Sequence, residues 1–479
     1  MESSIHVQPT INVLSSEAID RVHAASLRIL SEVGIRVDSA KAINVFHASR
    51  GVRFLDENRL VIQPETVEWA IHQCPSTIDI YNRVGERVFC LGEDSTKFGI
   101  GVTNLFFQDP RSEEILPFTR RHMQQSVGLG NSLPSFEVIS TIGILRDVET
   151  NIADLVALLE MVANTIKPLI ILISDQAQFL PGLVLLKHLV GELASKPFII
   201  PYFNPVTPLI LNRSTAENML ISIERGLPVI FSNYGMAGMS TPITSAGTLA
   251  VLNAELLAGL VFSQLVKQGA PIILGSLPAF FDMKTMQDFF DPQTMLLNLA
   301  CAEMMAHYRI PHAGTSGSAN GWGADLVASQ TLMMNQLTSC LGKVGLAPFV
   351  GGSFGSKVFS PLMTVFADEV IEQSRQFAKG LIINEETLAF DEVKKLGVGG
   401  NFISAQQTMK LFRRAYHTSS IFPRLGLEKW QELGKPEASK LLRERTLDIL
   451  NQSNFPGDQQ ELLQKGESLI SHDQLRRER

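Results

Sequence analysis

The side chains of this sequence that best suit a small-ligand site are aromatic or small and polar, and few are charged. They are Asn204, Tyr234, Phe280, His312, Trp322, Ser353, Phe354, Gly355, Ser356 and Phe359. Aromatic ring faces attract organic cations, and hydroxyl or backbone N–H groups bind carboxylates and phosphates. This combination favours a cationic organic ligand, although an ordinary hydrophobic core accounts for many of the same residues.

Metal and nucleotide sites are not indicated by the spacing of the residues. His307 and His312 are five positions apart across a predicted helix end, so they do not share a helical face as metal ligands would. Lys357 in GGSFGSK is followed by Val358, which breaks the GxxxxGK[ST] spacing of a phosphate-binding loop. The glycines of this segment could still present backbone N–H groups to a carboxylate or phosphate.

Eight segments predict the parallel strands that would position these residues. They cover residues 97–101, 137–143, 167–174, 196–203, 227–235, 270–278, 310–317 and 346–360. Several enter through a proline, whose missing N–H lies outside the ladder at the start of a strand. Their spacing predicts a TIM barrel, with function at the carboxyl ends of the strands. A doubly wound fold is the alternative, but the nearest match to its GxGxxG turn, GIGVTN at Gly99, lacks the third glycine.

Smaller elements are predicted around the barrel. The pattern divides the chain into a mixed α/β lead-in over residues 1–90, the barrel over 91–380 and a mostly helical extension over 381–479. In the lead-in, an amphipathic helix is predicted within residues 16–37, capped by Ser16 and ended by Gly34. A hairpin is predicted over residues 52–62.

Composition narrows the classes of partner. A net charge of −7 offers no electrostatic reason to expect nucleic acid. The most apolar long run, residues 248–267, contains Asn253 and Glu255, so it predicts a buried helix rather than a membrane span. The four cysteines form no CxxC pair and the first residues lack the apolar segment of an export signal. These features predict a cytoplasmic protein without a membrane or nucleic-acid partner.

Four segments resemble the trimethylamine methyltransferase (MttB-like) superfamily. They are residues 22–39, 245–275, 397–417 and 427–438, and they occur in the order found in that family. The resemblance implies a TIM barrel that passes a methyl group from an amine to the Co(I) of a separate corrinoid protein. It also implies that this chain binds no cofactor itself, that the cobalamin belongs to the partner, and that the protein is a homo-oligomer. The chain has no D-x-H-x-x-G cobalamin-binding sequence.

The amine is expected to be quaternary. Members of the family that act on trimethylamine carry pyrrolysine, whereas this chain consists of the ordinary twenty amino acids. The resemblance therefore implies the branch that acts on glycine betaine, carnitine or proline betaine, with glycine betaine as the first choice. A quaternary ammonium leaves as a neutral tertiary amine, so no metal or general acid is required. Catalytic residues cannot be assigned by this resemblance.

Two other functions remain open. One is a TIM-barrel lyase or aldolase-like enzyme, with a phosphate site at residues 353–356 and Lys357 as nucleophile. The other is a non-catalytic betaine-binding protein. The anion partners expected for a betaine are the N–H groups of residues 351–356, supported by Ser353, Ser356 or His312.

Overall fold

Eight parallel strands close into a barrel in the computed structural model, which describes residues 4–93, 95–315, 317, 319–452 and 454–471. The strands are Lys97–Ile100, Phe136–Ser140, Leu169–Ile171, Ile199–Phe203, Val229–Ala237, Ile272–Asp282, His312–Ala313 and Leu346–Val350. The eighth strand pairs with the first, Leu346 opposite Lys97, which closes the sheet. Each of the eight overlaps a predicted segment, although the second begins one residue earlier and the fifth and sixth run two and four residues further than predicted. The prediction of a TIM barrel is confirmed.

One long helix follows each barrel strand along the chain. In order, the helices are Arg120–Ser132, Ala153–Asn164, Gln176–Val190, Arg213–Glu224, Ser245–Val266, Pro292–Tyr308, Leu326–Leu341 and Pro361–Ala378. The fifth helix is long and apolar enough to cross a membrane, yet 83% of its most apolar window is buried inside the fold. The prediction of a buried helix over this run is therefore confirmed.

Successive side chains along each strand point alternately to the two faces of the sheet, and this produces two apolar layers. One set of side chains, including Val138, Ile170, Ile230 and Leu346, fills the barrel interior. The antiparallel hairpin Ile78–Tyr81 and Arg87–Leu91 contributes to this interior cluster. The other set, including Leu169, Val229 and Ile272, packs against the surrounding helices. Because both faces of each strand are buried, the strands are nearly continuous apolar runs.

Two extensions are built at the carboxyl end of the barrel. The fifth and sixth strands pair over nine positions, from Val229 opposite Ile272 to Ala237 opposite Phe280. The sixth strand then forms a hairpin with Gln287–Phe289. The loops after the first and eighth strands share a small sheet made of Phe106–Gln108, Ile115–Pro117, Gly352–Ser353 and Val358–Phe359. These extensions hold the loops in which the candidate residues lie.

The lead-in follows the predicted pattern with one correction. The first helix, Ser16–Arg28, continues as the π-helical turn Ile29–Val33 and ends at Gly34. Its N-cap is Ser15, whose hydroxyl accepts a hydrogen bond from the N–H of Ala18, so the assignment of Ser16 as the cap is wrong. Capping requires an extended backbone just before the first turn, and Ser15 has it. The predicted hairpin forms from Val52–Phe54 and Arg59–Ile62.

The remaining elements lie before and after the barrel. In the lead-in they are strand Ile35–Val37, which also pairs with Ile210–Leu211, and helices Ala40–His47 and Pro64–Gln73. Strand Leu381–Ile383 pairs with Ile5–Val7. The helices of the extension are Glu385–Leu388, Phe390–Leu396, Gln406–Leu411, Leu427–Glu432, Ala438–Asn451 and Gln459–Ser471. The division of the chain at residues 90 and 380 stays a prediction.

Candidate active site at the barrel mouth

A cavity of about 220 Å³ lies at the carboxyl ends of the third and fourth strands. Its polar lining consists of Thr103, Ser174, Gln176, Tyr202, Asn204, Ser214, Thr215 and Asn218. The other lining residues are Ile171, Leu172, Ile173, Phe179 and Phe203, so none of the described residues around it carries a charged side chain. Of the predicted site residues, Asn204 lines this cavity.

Asn204 is held in place by three contacts. Its Nδ2 donates to the carbonyl of Ser232 at 2.7 Å and lies 3.3 Å from the hydroxyl oxygen of Tyr202. Its main-chain carbonyl accepts a hydrogen bond from the hydroxyl of Thr215 at 2.5 Å. The side-chain amide therefore links the end of the fourth strand to the fifth strand, and the main chain links it to the helix Arg213–Glu224. Such bonds fix the orientation of a side chain that a ligand would meet.

Tyr202 is a site residue that the sequence analysis did not select. It is buried, and its ring meets that of Phe349 edge-on across the barrel, with centroids 5.0 Å apart. Burial raises the pKa of the phenol to about 12, so the side chain is neutral at ordinary pH. The sequence contained a signal for it, because Tyr202 stands two residues before Asn204 and side chains two apart point to the same face of a strand.

Tyr234 lies on the fifth strand, and its hydroxyl donates to Oδ2 of Asp288 at 2.5 Å. Burial, together with the neighbouring carboxylate, raises the pKa of the phenol above its usual range. Asp288 belongs to the strand Gln287–Phe289, which the hairpin places opposite Phe281. Nothing in the sequence pointed to Asp288, because its position depends on the register of that hairpin.

Asn233, which precedes Tyr234, faces the other way, and so does Ser276, which the sheet places opposite Asn233. Asn233 is buried against the helix Ser245–Val266, and its Nδ2 donates to the carboxylate of Glu255 at 2.9 Å. Ser276 donates to Oδ1 of Asn233 at 2.7 Å. Glu255 also accepts from the hydroxyl of Thr207 at 2.9 Å and from the N–H of Leu209 at 2.5 Å. This carboxylate therefore fastens the loop that follows Asn204.

Desolvation raises the pKa of Glu255 to about 7, although its three hydrogen bonds act in the opposite direction. Among the described residues, no Lys or Arg contributes to this pKa. The group is thus a buried carboxylate that is stabilised by neutral donors alone.

The loop after the eighth strand uses many of its own polar groups. The Ser353 hydroxyl donates to the carbonyl of Val358 at 3.3 Å. The N–H of Phe354 donates to the carbonyl of Gly321, and that of Gly355 to the carbonyl of Ala319. Phe354, Gly355 and Ser356 have φ values of 52°, 63° and 70°, so the loop takes three consecutive left-handed residues. These contacts fasten it to the loop after the seventh strand and occupy two of the N–H groups expected to meet an anion.

Residues 351–355 also read GGSFG, which matches the GxSxG pattern of a hydrolase nucleophile turn. That turn requires a serine exposed between a strand and a helix, whereas Ser353 is buried in an antiparallel pair with Val358. Lys357, the nucleophile of the lyase alternative, is exposed, and its carbonyl accepts from the N–H groups of Leu105 and Phe106.

The other predicted site residues lie away from the cavity. Phe280 packs near Phe289, and Phe359 packs near Phe107 in the helix-side core. Trp322 is 68% exposed on the rim, where its carbonyl accepts a hydrogen bond from Gln108. Ser356 offers its carbonyl to the buried amide of Asn104.

His312 is buried on the seventh strand, and neither ring nitrogen has a hydrogen-bond partner among the described residues. Desolvation lowers its pKa to about 3, so the ring is neutral. Its neighbour Ala313 belongs to the interior cluster, which directs the His312 side chain towards the helices instead. Thr315 follows in the same loop, and Ser316 lies outside the described residues.

Comparison with known proteins accounts for this architecture. Residues 2–465 match the family described as trimethylamine methyltransferase (MTTB). This chain belongs to the trimethylamine methyltransferase family. The family resemblance seen in the sequence is thereby confirmed.

Relatives within the family are named for more than one amine. Trimethylamine methyltransferase MttB of Desulfitobacterium hafniense strain DSM 10664 / DCB-2 is 26% identical over 444 residues, which cover 91% of this chain and 88% of that protein. The glycine betaine methyltransferase of Desulfitobacterium hafniense strain Y51 is 24% identical over 433 residues, or 88% of this chain and 89% of that protein. Two proteins named for different substrates are thus about equally similar to this chain.

A solved structure shares the fold. The Methanosarcina barkeri monomethylamine methyltransferase superposes with a TM-score of 0.52 over 91% of this chain and 87% of that one, at 9% sequence identity. The likeness concerns the barrel and its surrounding elements.

Proposed function

We propose that this member of the trimethylamine methyltransferase family transfers a methyl group from a quaternary amine to the Co(I) of a separate corrinoid protein, and that the amine is glycine betaine. The observation that carries the proposal is the uncharged polar cavity at the barrel mouth. Glycine betaine is a zwitterion without net charge. Such a ligand needs hydrogen-bond donors at one end and ring faces at the other, but no counter-ion inside the cavity.

The first turn of the helix Arg213–Glu224 is suited to bind the carboxylate of the substrate at one side of the cavity. Ser214 and Asn218 line the cavity from this helix. The N-cap residue Asn212 makes no side-chain capping bond among the described residues. The N–H groups of the first turn therefore remain available to an anion, and the helix dipole adds positive potential there.

Aromatic rings are placed where they can bind the ammonium group of the substrate. Tyr202 lines the cavity, and Tyr234 lies beyond it on the neighbouring fifth strand. The bond from Tyr234 to Asp288 makes the ring more electron-rich and adds a negative charge behind it. A partial set of rings suits the reaction, because the nitrogen loses its positive charge in the transition state. A complete cage would stabilise the substrate more than the transition state.

The transfer step requires little acid–base chemistry from the chain. The electron pair of the N–CH3 bond stays on nitrogen, which leaves as the neutral tertiary amine of dimethylglycine with its carboxylate still ionised, while the methyl group is transferred to the Co(I) of the partner. Because that leaving group needs no proton, the residues around the cavity have to bind the amine, orient its methyl group towards the mouth and exclude water. The cobalamin, supplied by the partner, provides the nucleophile.

Exposed apolar side chains on the mouth loops support a protein partner at this face. Met239, Ile243, Met283, Met286 and Leu326 follow the fifth, sixth and seventh strands and are between 61% and 89% exposed. Clustered apolar exposure of this kind is typical of protein interaction sites. A corrinoid protein that docks here would bring its cobalt to the end of the barrel where the cavity opens.

The test is methyl transfer to reduced free cobalamin, followed by its absorbance, with glycine betaine and trimethylamine compared side by side. We expect turnover with glycine betaine and very little with trimethylamine, because the latter lacks the carboxylate and leaves donors of the cavity unpaired. Faster demethylation of trimethylamine than of every betaine tried would contradict the proposal.

The variant Asn218→Asp tests the position of the carboxylate. It places a negative charge in the cavity, so the KM for glycine betaine should rise at least tenfold, whereas a quaternary amine without a carboxylate, such as choline, should not be penalised. The control is Asn58→Asp, the same change at an exposed position outside the cavity. Equal effects of Asn218→Asp on both amines would remove the carboxylate from this side.

A further inference from the structure

A half-buried carboxylate lies at the barrel mouth, outside the uncharged cavity. Asp288 belongs to the strand Gln287–Phe289, which forms a hairpin with the sixth strand. Its Oδ2 accepts a hydrogen bond from the hydroxyl of Tyr234 at 2.5 Å. Asp288 is not among the residues that line the cavity of about 220 Å³. The mouth therefore carries a charge that the lining of the cavity does not include.

The register of the strands places this carboxylate on the interior side of the sheet. Leu277 of the sixth strand packs against the interior cluster, and the parallel register places Tyr234 opposite it. Phe281 lies four residues after Leu277, and side chains an even number of positions apart share one face of a strand. Asp288 pairs with Phe281 and therefore lies on that face too. Tyr234 and Asp288 thus face the axis of the barrel together.

The charge of Asp288 is not neutralised within the described part of the chain. None of the ion pairs among the described residues includes Asp288. The hydrogen bond that it accepts comes from a neutral phenol. Charges that have lost part of their water are normally paired in proteins, so this carboxylate indicates a cation that comes from outside the chain.

A quaternary nitrogen is the cationic group that suits this position. The bond from Tyr234 holds the carboxylate in place, and an aromatic ring beside a carboxylate is a combination that binds quaternary ammonium groups. A quaternary nitrogen has no N–H group, so a carboxylate attracts it through space rather than through a hydrogen bond. Asp288 therefore need not line the cavity to act on a ligand within it.

We propose that Asp288 is the counter-charge of the substrate's quaternary nitrogen and makes the site discriminate a cationic nitrogen from a neutral one. The inference rests on the proposed function, because it takes the ligand of the cavity to be a quaternary amine. It adds that recognition of the nitrogen depends on a carboxylate outside the cavity as well as on ring faces.

The same charge favours release of the product. The nitrogen of the bound substrate is cationic, whereas that of the product is neutral at the moment of transfer and its carboxylate is still ionised. Asp288 attracts the first and repels the second. Because the nitrogen loses its charge in the transition state, Asp288 stabilises the bound substrate more than the transition state. Removing the charge should therefore raise the KM for the amine without lowering kcat.

The experiment compares two ligands of the same shape that differ in charge at one atom. They are glycine betaine and 3,3-dimethylbutanoate, in which carbon replaces the quaternary nitrogen. Their dissociation constants are measured by titration calorimetry on the full chain, as wild type and as Asp288→Asn, without a corrinoid protein. We expect the ratio of the two constants, which favours glycine betaine in the wild type, to fall about tenfold in the variant. A purely structural effect of the substitution would weaken both ligands alike and leave the ratio unchanged.

Two further variants separate the charge from other effects. Asp20→Asn makes the same change at an exposed position of the first helix and should leave the ratio unchanged. Tyr234→Phe removes the hydrogen bond but keeps the carboxylate, so it should lower the ratio much less than Asp288→Asn. A ratio that is the same in Asp288→Asn as in the wild type would overturn the inference. A larger fall in Tyr234→Phe than in Asp288→Asn would overturn it as well.

Tetramethylammonium distinguishes a failure of this inference from a failure of the proposed function. It has the quaternary nitrogen but no carboxylate, and its binding requires no turnover. Binding that is about tenfold weaker in Asp288→Asn would uphold the counter-charge even if no betaine were demethylated. Methyl transfer from glycine betaine with the same KM in the wild type and in Asp288→Asn would overturn the inference and leave the proposed function standing. A wild type that binds neither glycine betaine nor tetramethylammonium would overturn both.

Discussion

Replacing Glu255 by glutamine tests whether the loop after the fourth strand is held by a buried carboxylate with a raised pKa. The side chain accepts three hydrogen bonds, from Leu209, Thr207 and Asn233, and its pKa is about 7 in the folded protein against an ordinary value of 4.5. Glutamine has nearly the same shape but does not ionise. The substitution therefore removes the pH-dependent contribution of this group and leaves its packing intact.

The sign and size of that contribution follow from linkage. Because the folded pKa is raised, the folded state binds the proton more tightly than the unfolded state. The stabilisation is fully present below about pH 4.5 and is lost as the pH rises through 7. A shift from 4.5 to about 7 corresponds to about 3 kcal/mol. The free energy of unfolding of the wild type should fall by about this amount relative to Glu255→Gln between pH 4.5 and pH 8.

A second effect of the substitution does not depend on pH. Whichever way the new amide of Glu255→Gln is turned, its N–H₂ meets a donor, either the N–H of Leu209 or the N–H₂ of Asn233. Asn233 cannot reverse its amide without losing its bonds from Ser276 and to the carbonyl of Leu252. This conflict costs about 1–3 kcal/mol at either pH. This pH-independent cost cancels when the difference in the free energy of unfolding between wild type and variant at pH 8 is compared with the same difference at pH 4.5.

The assay is denaturant unfolding of both proteins at the two pH values in buffers of equal ionic strength. Other buried carboxyl groups with raised pKa, such as Glu137 and Asp368, titrate alike in both proteins and drop out of the comparison. A difference between wild type and variant that stays constant within about 0.5 kcal/mol over this range would refute the reasoning, as would a wild type that gains stability relative to the variant at pH 8.

Three further predictions concern the cavity and the partner. Tyr234→Ala should raise the KM for glycine betaine about 5- to 30-fold, which corresponds to about 1–2 kcal/mol for a lost ring face. Tyr234→Phe should raise the KM much less. Equal effects of the two variants in steady-state kinetics would place the role in the hydroxyl. Met283→Glu, at a side chain 70% exposed on the rim, should slow transfer to the corrinoid protein but not to free cobalamin, and the absence of that split would argue against docking at the mouth. The purified chain should be colourless and need a separate corrinoid protein for physiological turnover; stoichiometric cobalamin in its absorbance spectrum would contradict this.

The sequence by itself determined the barrel, because each strand is buried on both faces and appears as an uninterrupted apolar run. Prolines at positions 168, 197 and 271 stand just before such runs, where they cost no ladder bond. The polar residues of the fifth helix marked it as part of the fold rather than of a membrane. The order of elements therefore follows from local patterns, and the barrel follows from their number and spacing.

Only the tertiary structure decided which polar residues meet. Alternation shows that Asn233 and Tyr234 point in opposite directions, but not which one faces the interior, because both faces of a barrel strand are apolar and buried. Tyr202, Ser214 and Asp288 join the candidate site through strand order and hairpin register, which pair positions far apart in the sequence. Register and closure are properties of the assembled sheet, so no single segment carries them, and this is why the barrel was predictable from the sequence while the lining of its mouth was not.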